Sequence, residues 1–265
     1  MTDYRSVWIS DIHLGTRGCN AALLLDFLRE IECEHLYLVG DIIDGWRLKR
    51  GWYWPQAHND VVQKLLRKAR KGTRVVYVPG NHDAFARGYA GHQFGAVDVV
   101  AEAIHETADG KRLLVVHGDE FDGIVRYARW LAVLGDHAYT LALAVNTVFN
   151  RVRRRLGYPY WSLSAYLKHK VKNAVKFIGE YESAVLDAAR HRHMDGIVCG
   201  HIHHAELRQV DGAVYANCGD WVESCTALIE HHDGRLEILH WPTFAARQSR
   251  QDAAQPFPDT LQPLN

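Results

Sequence analysis

SVWISDIHLGTRGCNAALLLDFLREIECEHLYLVGDIID, residues Ser6–Asp44, reads as strand, helix, strand. Ser6–Ser10 is a short apolar run that stops at Asp11, Ala21–Ile31 carries Leu24, Phe27, Leu28 and Ile31 at helical spacing, and Leu36–Gly40 is a second buried run closed by Asp41. Such an opening predicts parallel strands joined by a crossover helix. The pattern recurs at Asp60–Lys71, where Val61, Leu65 and Leu66 share a helical face, and at Arg74–Val78, a third strand ending at Pro79 and Gly80. Further strands are predicted at Leu113–Val116, Gly196–Cys199, Val214–Asn217, Thr226–Glu230 and Leu236–His240, the last few close enough in sequence for antiparallel pairing. The expected fold class is a mixed α/β sandwich, one domain over residues 1–245.

Composition narrows the function classes. The 265 residues hold 31 Lys+Arg and 31 Asp+Glu with 48% apolar residues, enough for a substantial core and too balanced for a disordered chain. A zero net charge argues against a nucleic-acid coat, so an anionic partner would be met locally. Five cysteines, at 19, 33, 199, 218 and 225, show no C-x-x-C and fit a reducing compartment. No signal peptide pattern follows Met1, and the apolar region Trp130–Phe149 is broken by Gly135, Asp136, His137 and Asn146, so the expected location is cytoplasmic, without a membrane span.

Between the strands at 113 and 196, about residues 121–193, lies a stretch without strand signal that reads as a helical insert. Leu167, Val171, Ala174, Ile178, Tyr181 and Val185 recur as one stripe of an amphipathic helix. From Asn146 to Ile178 there are eight Lys or Arg and no acidic residue, among several aromatic rings, a composition that favours anions. A charged stripe on a helix is also, about as often, only a solvated face. The tail, 246–265, is polar with three prolines and is expected to be flexible.

The chemistry gathers where strands end. Five signatures appear in order: Asp11-x-His13, Gly40-Asp41-x-x-Asp44, Gly80-Asn81-His82-Asp83, Val116-His117-Gly118 and Gly200-His201-x-His203. Any one alone is an ordinary turn. Together, at the carboxyl ends of strands in an α/β sheet, they converge on one crevice. Imidazoles and carboxylates are the ligand mix of divalent transition metals, and four His, two Asp and one Asn are too many for one tetrahedral ion. Two metals are therefore implied: Asp11, His13 and His203 on one, Asn81, His117 and His201 on the other, and Asp41 shared. Such a pair activates a bridging water and clamps phosphoryl oxygens, which is the chemistry of phosphoester hydrolysis.

The set SDIHLG, GDIID, GNHD, VVHGD and GHIHH resembles the calcineurin-like metallophosphoesterase superfamily over the chain to about Trp241. Within it, SDIHLG, LYLVGDIIDGW, the insert after HGD and NCGDW are similar to the UDP-2,3-diacylglucosamine pyrophosphatase branch of lipid A synthesis. The resemblance implies a four-layer α/β/β/α sandwich, a dimetal site that often uses manganese, release of UMP and a diacylglucosamine 1-phosphate, and an insert acting as a lid over acyl chains. It also implies peripheral contact with the inner membrane. Asn173-x-x-Lys176 resembles part of that branch's substrate-binding helix, and Lys172 extends the same surface, so Lys172, Asn173 and Lys176 are the candidate substrate contacts.

One position departs from that branch, which carries Arg where this chain has His82. Arg stabilises charge, whereas His can also protonate a departing alkoxide. His82 is therefore assigned as general acid or transition-state stabiliser, with Asn81 beside it and Asp83 orienting it, and the substrate is either the nucleotide-activated acylated sugar or a related phosphodiester or phosphomonoester, a soluble compound or a nucleic acid. A silent metal-binding scaffold is the third alternative, against which the complete ligand set argues.

Overall fold

The computed structural model describes residues 2–121, 179 and 181–254. The opening strand β1 (Thr2–Ile9) lies parallel to β2 (Ile31–Val39), with Val7 opposite Leu36 and Ile9 opposite Leu38, and α1 (Ala21–Glu30) makes the crossover. β3 (Arg74–Val78) adds to β2 in parallel after α2 (Gly45–Arg50) and α3 (Gln56–Arg70). With β4 (Gln93–Phe94), β5 (Val97–Val99), β11 (Thr226–Glu230) and β12 (Leu236–His240), they form a seven-stranded sheet ordered β12-β11-β1-β2-β3-β5-β4. The second sheet has five strands, ordered β6 (Ala103–Glu106), β7 (Arg112–Val115), β8 (Gly196–Cys199), β10 (Ala213–Asn217) and β9 (Glu206–Val210).

Side-chain alternation explains why two sheets stack with helices outside. Trp8, Tyr37, Val39, Val76, Leu113, Val115, Val198, Val214, Ala216 and Leu228 point into the space between the sheets. Their neighbours Val7, Ile9, Leu36, Leu38 and Val75 point the other way and meet Leu24, Phe27 and Leu28 of α1 and Val61 and Leu65 of α3. On the far side, Leu114, Val116, Ile197, Cys199 and Tyr215 meet Tyr181, Val185, Leu186 and Ala189 of α4, a helix over 181–191. Strands covered on both faces read as continuous apolar runs, as these do. The result is a four-layer α/β/β/α sandwich, as expected.

One expectation changes here, and several short elements are added. The tail foreseen from 246 is helical at its start, because α5 spans Trp241–Ala254; Trp241 is buried edge-on against Phe27, ring centroids 5.4 Å apart, and Phe244 packs beside it one turn on. Those anchors precede the polar run, which hid them. The short elements α2, β4, β5, β6 and β9 were not foreseen, since a run of two to six residues carries little periodicity. Of the predicted insert, Tyr181 and Val185 are buried in α4, while Lys172, Asn173, Lys176 and the rest of residues 122–178 lie outside the described residues.

Trp8, fully buried between the sheets and stacked on Tyr37 at 5.3 Å, should be among the costliest deletions. Urea unfolding of Trp8→Ala is expected to show a loss of about 3–5 kcal/mol, against less than about 0.5 kcal/mol for the exposed Trp52→Ala.

Candidate metal centre

Every sequence-predicted ligand follows the carboxyl end of a parallel strand. Asp11 and His13 follow β1, Asp41 follows β2, Asn81 follows β3, His117 follows β7, and His201 and His203 follow β8. The turns that carry them are unusual: Asp11, His13, Asp41, His201 and His203 all have left-handed backbones, with φ of 50°, 53°, 53°, 69° and 54°. Non-glycine residues adopt this region rarely and at a cost, so surrounding structure must impose it. Here it does so through main-chain bonds between loops: His13 N–H donates to Asp41 O at 2.9 Å, Leu14 N–H to Ile42 O at 2.9 Å, and Trp221 N–H to Asp11 O at 3.1 Å. Gly40 and Gly80 leave room for the imidazole of His117, which a Cβ at either position would strike.

The side chains then converge in three groups, Asp11 with His13 and His203, Asp41 with His117 and His201, and, overlapping both, His13 with Asp41 and His82. His203 Nε2 lies 3.1 Å from Asp11 Oδ1, His13 Nε2 lies 3.8 Å from both Asp11 Oδ1 and Asp41 Oδ2, and His117 Nε2 lies 3.4 Å from Asp41 Oδ1. Asn81 Oδ1 joins the second group 3.3 Å from His117 Nε2. Asp41 thus stands between the groups, the place a shared carboxylate needs.

A divalent cation pair fits these residues. Asp11 Oδ1 and Asp41 Oδ2 are buried and accept no hydrogen bond, although each faces imidazole nitrogens. Buried carboxylate oxygens normally find donors, and a bound cation supplies what is missing. The imidazoles are aimed by their other nitrogen: His117 Nδ1 donates to Val39 O at 3.0 Å and His13 Nδ1 meets Asp44 Oδ2 at 3.2 Å, which leaves both Nε2 atoms toward the centre.

Electrostatics follow from this crowding. Burial pushes the Asp11 and Asp41 carboxyls up, but the imidazoles of His203 and His117 outweigh it and hold both below the usual carboxylate range. Burial pushes His117 down, and Asp41 and Asp11 overcome it, raising the ring to about 10.

The structure corrects one role and adds one residue. Asp83 was expected to orient His82, but its carboxylate turns away beneath the loop, accepting the Gly80 N–H at 2.5 Å, the Ile42 N–H at 2.7 Å, the Asp41 N–H at 3.2 Å and the Tyr77 hydroxyl at 2.5 Å. Those donors leave it no free side toward the imidazole, so Asp83 braces two loops instead. Burial and the neighbouring Asp41 raise its carboxyl above the usual range despite the Tyr77 hydroxyl. Asp44 is the carboxylate beside the imidazole instead: Oδ2 lies 3.0 Å from His82 Nδ1, an ion-pair approach without hydrogen-bond geometry, while Oδ1 accepts the Arg47 N–H and caps α2. The signal for it was in the Gly40-Asp41-x-x-Asp44 signature, where capping and ligand-orienting carboxylates look alike.

The family described as Calcineurin-like phosphoesterase matches this chain over residues 4–205. A protein of Photorhabdus laumondii named UDP-2,3-diacylglucosamine hydrolase is 23% identical over 248 residues, covering 87% of this chain and 93% of that protein. One of the same name from Pectobacterium carotovorum is 26% identical over 263 residues, covering 89% and 99%. Among solved structures, a hypothetical protein of Pyrococcus horikoshii OT3 aligns with 95% of this chain and 94% of its own at a TM-score of 0.48 and 10% identity.

A raised His117 works against metal loading. Its folded value lies above the unfolded 6.5, so in metal-free protein the pairing stabilises fully below about 6.5 and is lost as pH rises through about 10. Metal must displace that proton, so calorimetric manganese affinity is expected to rise between pH 6.5 and 8.5 with net proton release, and a pH-independent affinity would contradict the assignment of His117.

Proposed function

The chain belongs to the calcineurin-like phosphoesterase family, and on that premise we propose that it hydrolyses UDP-2,3-diacylglucosamine to UMP and 2,3-diacylglucosamine 1-phosphate, a step of lipid A synthesis. The chain is a metal-dependent hydrolase, and its family works with a divalent dimetal centre. What carries the substrate reading is that two proteins named for it align with nearly the whole of this chain.

Asp11, His13, Asp41, Asn81, His117, His201 and His203 would hold the metals, which we take to be manganese. When bound, such a pair supplies a nucleophilic hydroxide and neutralises phosphoryl charge. The protein's own groups do the rest. The buried carboxylates and the glycine-flanked turns fix the ligands before substrate arrives, so little reorganisation accompanies the reaction. His82 sits at the rim, 14% exposed, with Nε2 3.9 Å from Asp41 Oδ2 and Nδ1 3.0 Å from Asp44 Oδ2. A proton at Nε2 can pass to the departing oxygen as its bond to phosphorus breaks.

That His82–Asp44 pair also supports the second reading, a phosphodiester or phosphomonoester substrate, since an alkoxide needs protonation more than a phosphate does. Lys172, Asn173 and Lys176 remain the proposed substrate contacts. We place the enzyme in the cytoplasm, touching the membrane peripherally. No helix among the described residues is long and apolar enough to cross a membrane. Peripheral contact is supported by the exposed Trp52 beside the exposed Arg47, Lys49 and Arg50, a mix suited to an anionic interface.

The test is hydrolysis of UDP-2,3-diacylglucosamine beside bis(p-nitrophenyl) phosphate with manganese, using Asp41→Ala as the blank. UMP release at far higher kcat/KM than diester cleavage, falling more than about 100-fold in Asp41→Ala, is the expected result. Diester cleavage without UMP release would move the substrate to the second reading, and full activity in Asp41→Ala would remove the dimetal assignment.

A further inference from the structure

We propose that Trp46 is a positioning residue for His82, its indole holding the imidazole so that Nε2 faces the metal centre; this rests on the reading of His82 as proton donor above. The two rings stack with centroids 4.1 Å apart and planes 32° from parallel. The His13 ring meets His82 edge-on at 4.7 Å, 88° from parallel, and Asp44 Oδ2 contacts Nδ1 at 3.0 Å. Its backbone is held as well, since its N–H donates to Asp41 Oδ1 at 2.8 Å and its carbonyl accepts the Gly45 N–H at 3.0 Å. The imidazole is thus packed at a face and an edge, with Asp44 near one nitrogen but not hydrogen-bonded to it, and Nε2 is left toward Asp41.

Asp44 alone cannot fix the ring. A single contact at Nδ1 lets the imidazole swing about the Cα–Cβ and Cβ–Cγ bonds while keeping its partner, and only a contact on the face stops that rotation. Stacking on an indole supplies it. The core gives no competing reason for this tryptophan. Trp46 is 50% exposed, and the apolar contact that α2 makes comes from the half-buried Leu48 over Gly15, so the interior gives the indole no packing role. Its first turn instead delivers the Asp44 carboxylate and the Trp46 indole to one imidazole.

The experiment compares bis(p-nitrophenyl) phosphate with diphenyl phosphate, whose phenolate is the poorer leaving group. Both substrates carry aryl rings, so direct stacking of substrate on Trp46 cancels in the ratio. A mispositioned proton donor hurts the poor leaving group selectively. Trp46→Ala is expected to lose about tenfold in kcat on diphenyl phosphate and less than about twofold on the nitrophenyl ester, with KM and calorimetric manganese affinity nearly unchanged, and Trp46→Phe to recover most of the loss. His82→Ala should show the same selectivity at about 100-fold, and adding Trp46→Ala to it should cost nothing further.

Equal losses on both esters in Trp46→Ala, with His82→Ala still selective, would overturn the positioning role and leave the His82 reading intact. No selectivity in His82→Ala would overturn that reading itself. A second measurement does not need turnover. In magnesium-loaded protein labelled with 13C-histidine, the His82 ring signals, identified by their loss in His82→Ala, should lie upfield under the indole and move downfield in Trp46→Ala. Signals unmoved by Trp46→Ala would contradict the stack.

Discussion

Two buried carboxylates, Asp11 and Asp41, face each other across a cluster of imidazoles, and the loops at this end of the molecule are shaped to hold them there. Both side chains are fully buried. Isolated, such charges would be far too costly to bury, and each would drive the other toward protonation. The imidazoles of His13, His117 and His203 surround them at 3.1–3.8 Å, and a cation pair would complete the compensation. The left-handed backbones of the ligand turns are the local cost of bringing these groups so close.

That cost is met by carboxylates that point away from the centre. Asp83 gathers the amide N–H groups of Gly80, Asp41 and Ile42, tying the third strand's loop to the second's. Asp44 contacts both His13 and His82 with one oxygen and caps α2 with the other. Four aspartates within one site therefore divide into two that face the centre and two that hold the loops. Sequence position does not separate these roles, because all four sit in short turns after strands.

The sandwich itself was readable because strands buried on both faces stay apolar throughout, as at Val7–Ile9 and Leu36–Val39, and because helix-period residues such as Leu24, Phe27 and Leu28 interrupt them. The gathering of the ligands was readable for a related reason: glycine-flanked Asp and His after an apolar run mark a turn at a strand end, and parallel strands deliver such turns to one edge. The role of Asp83 was misread because adjacency to His82 suggested contact. In a tight turn neighbouring side chains leave on opposite sides, and the Asp83 carboxylate went to the unpaired amides beneath. The start of α5 was missed because its anchors, Trp241 and Phe244, lie just before the polar residues that looked like a tail.

Residue type and spacing alone determined the mixed α/β class, the strand ends and the set of side chains able to bind metal, since periodicity and turn chemistry are local properties of a chain, while the layer order came from the family resemblance. Only the tertiary structure decided which carboxylate faces the centre, which braces the loops and which lies beside an imidazole, and that a tryptophan after the Gly-Asp loop lies against His82. These are choices of side-chain direction among groups from different loops. Direction is set by which buried N–H, ring face or cation lies within reach once the sheets have packed, and no spacing along the chain encodes that.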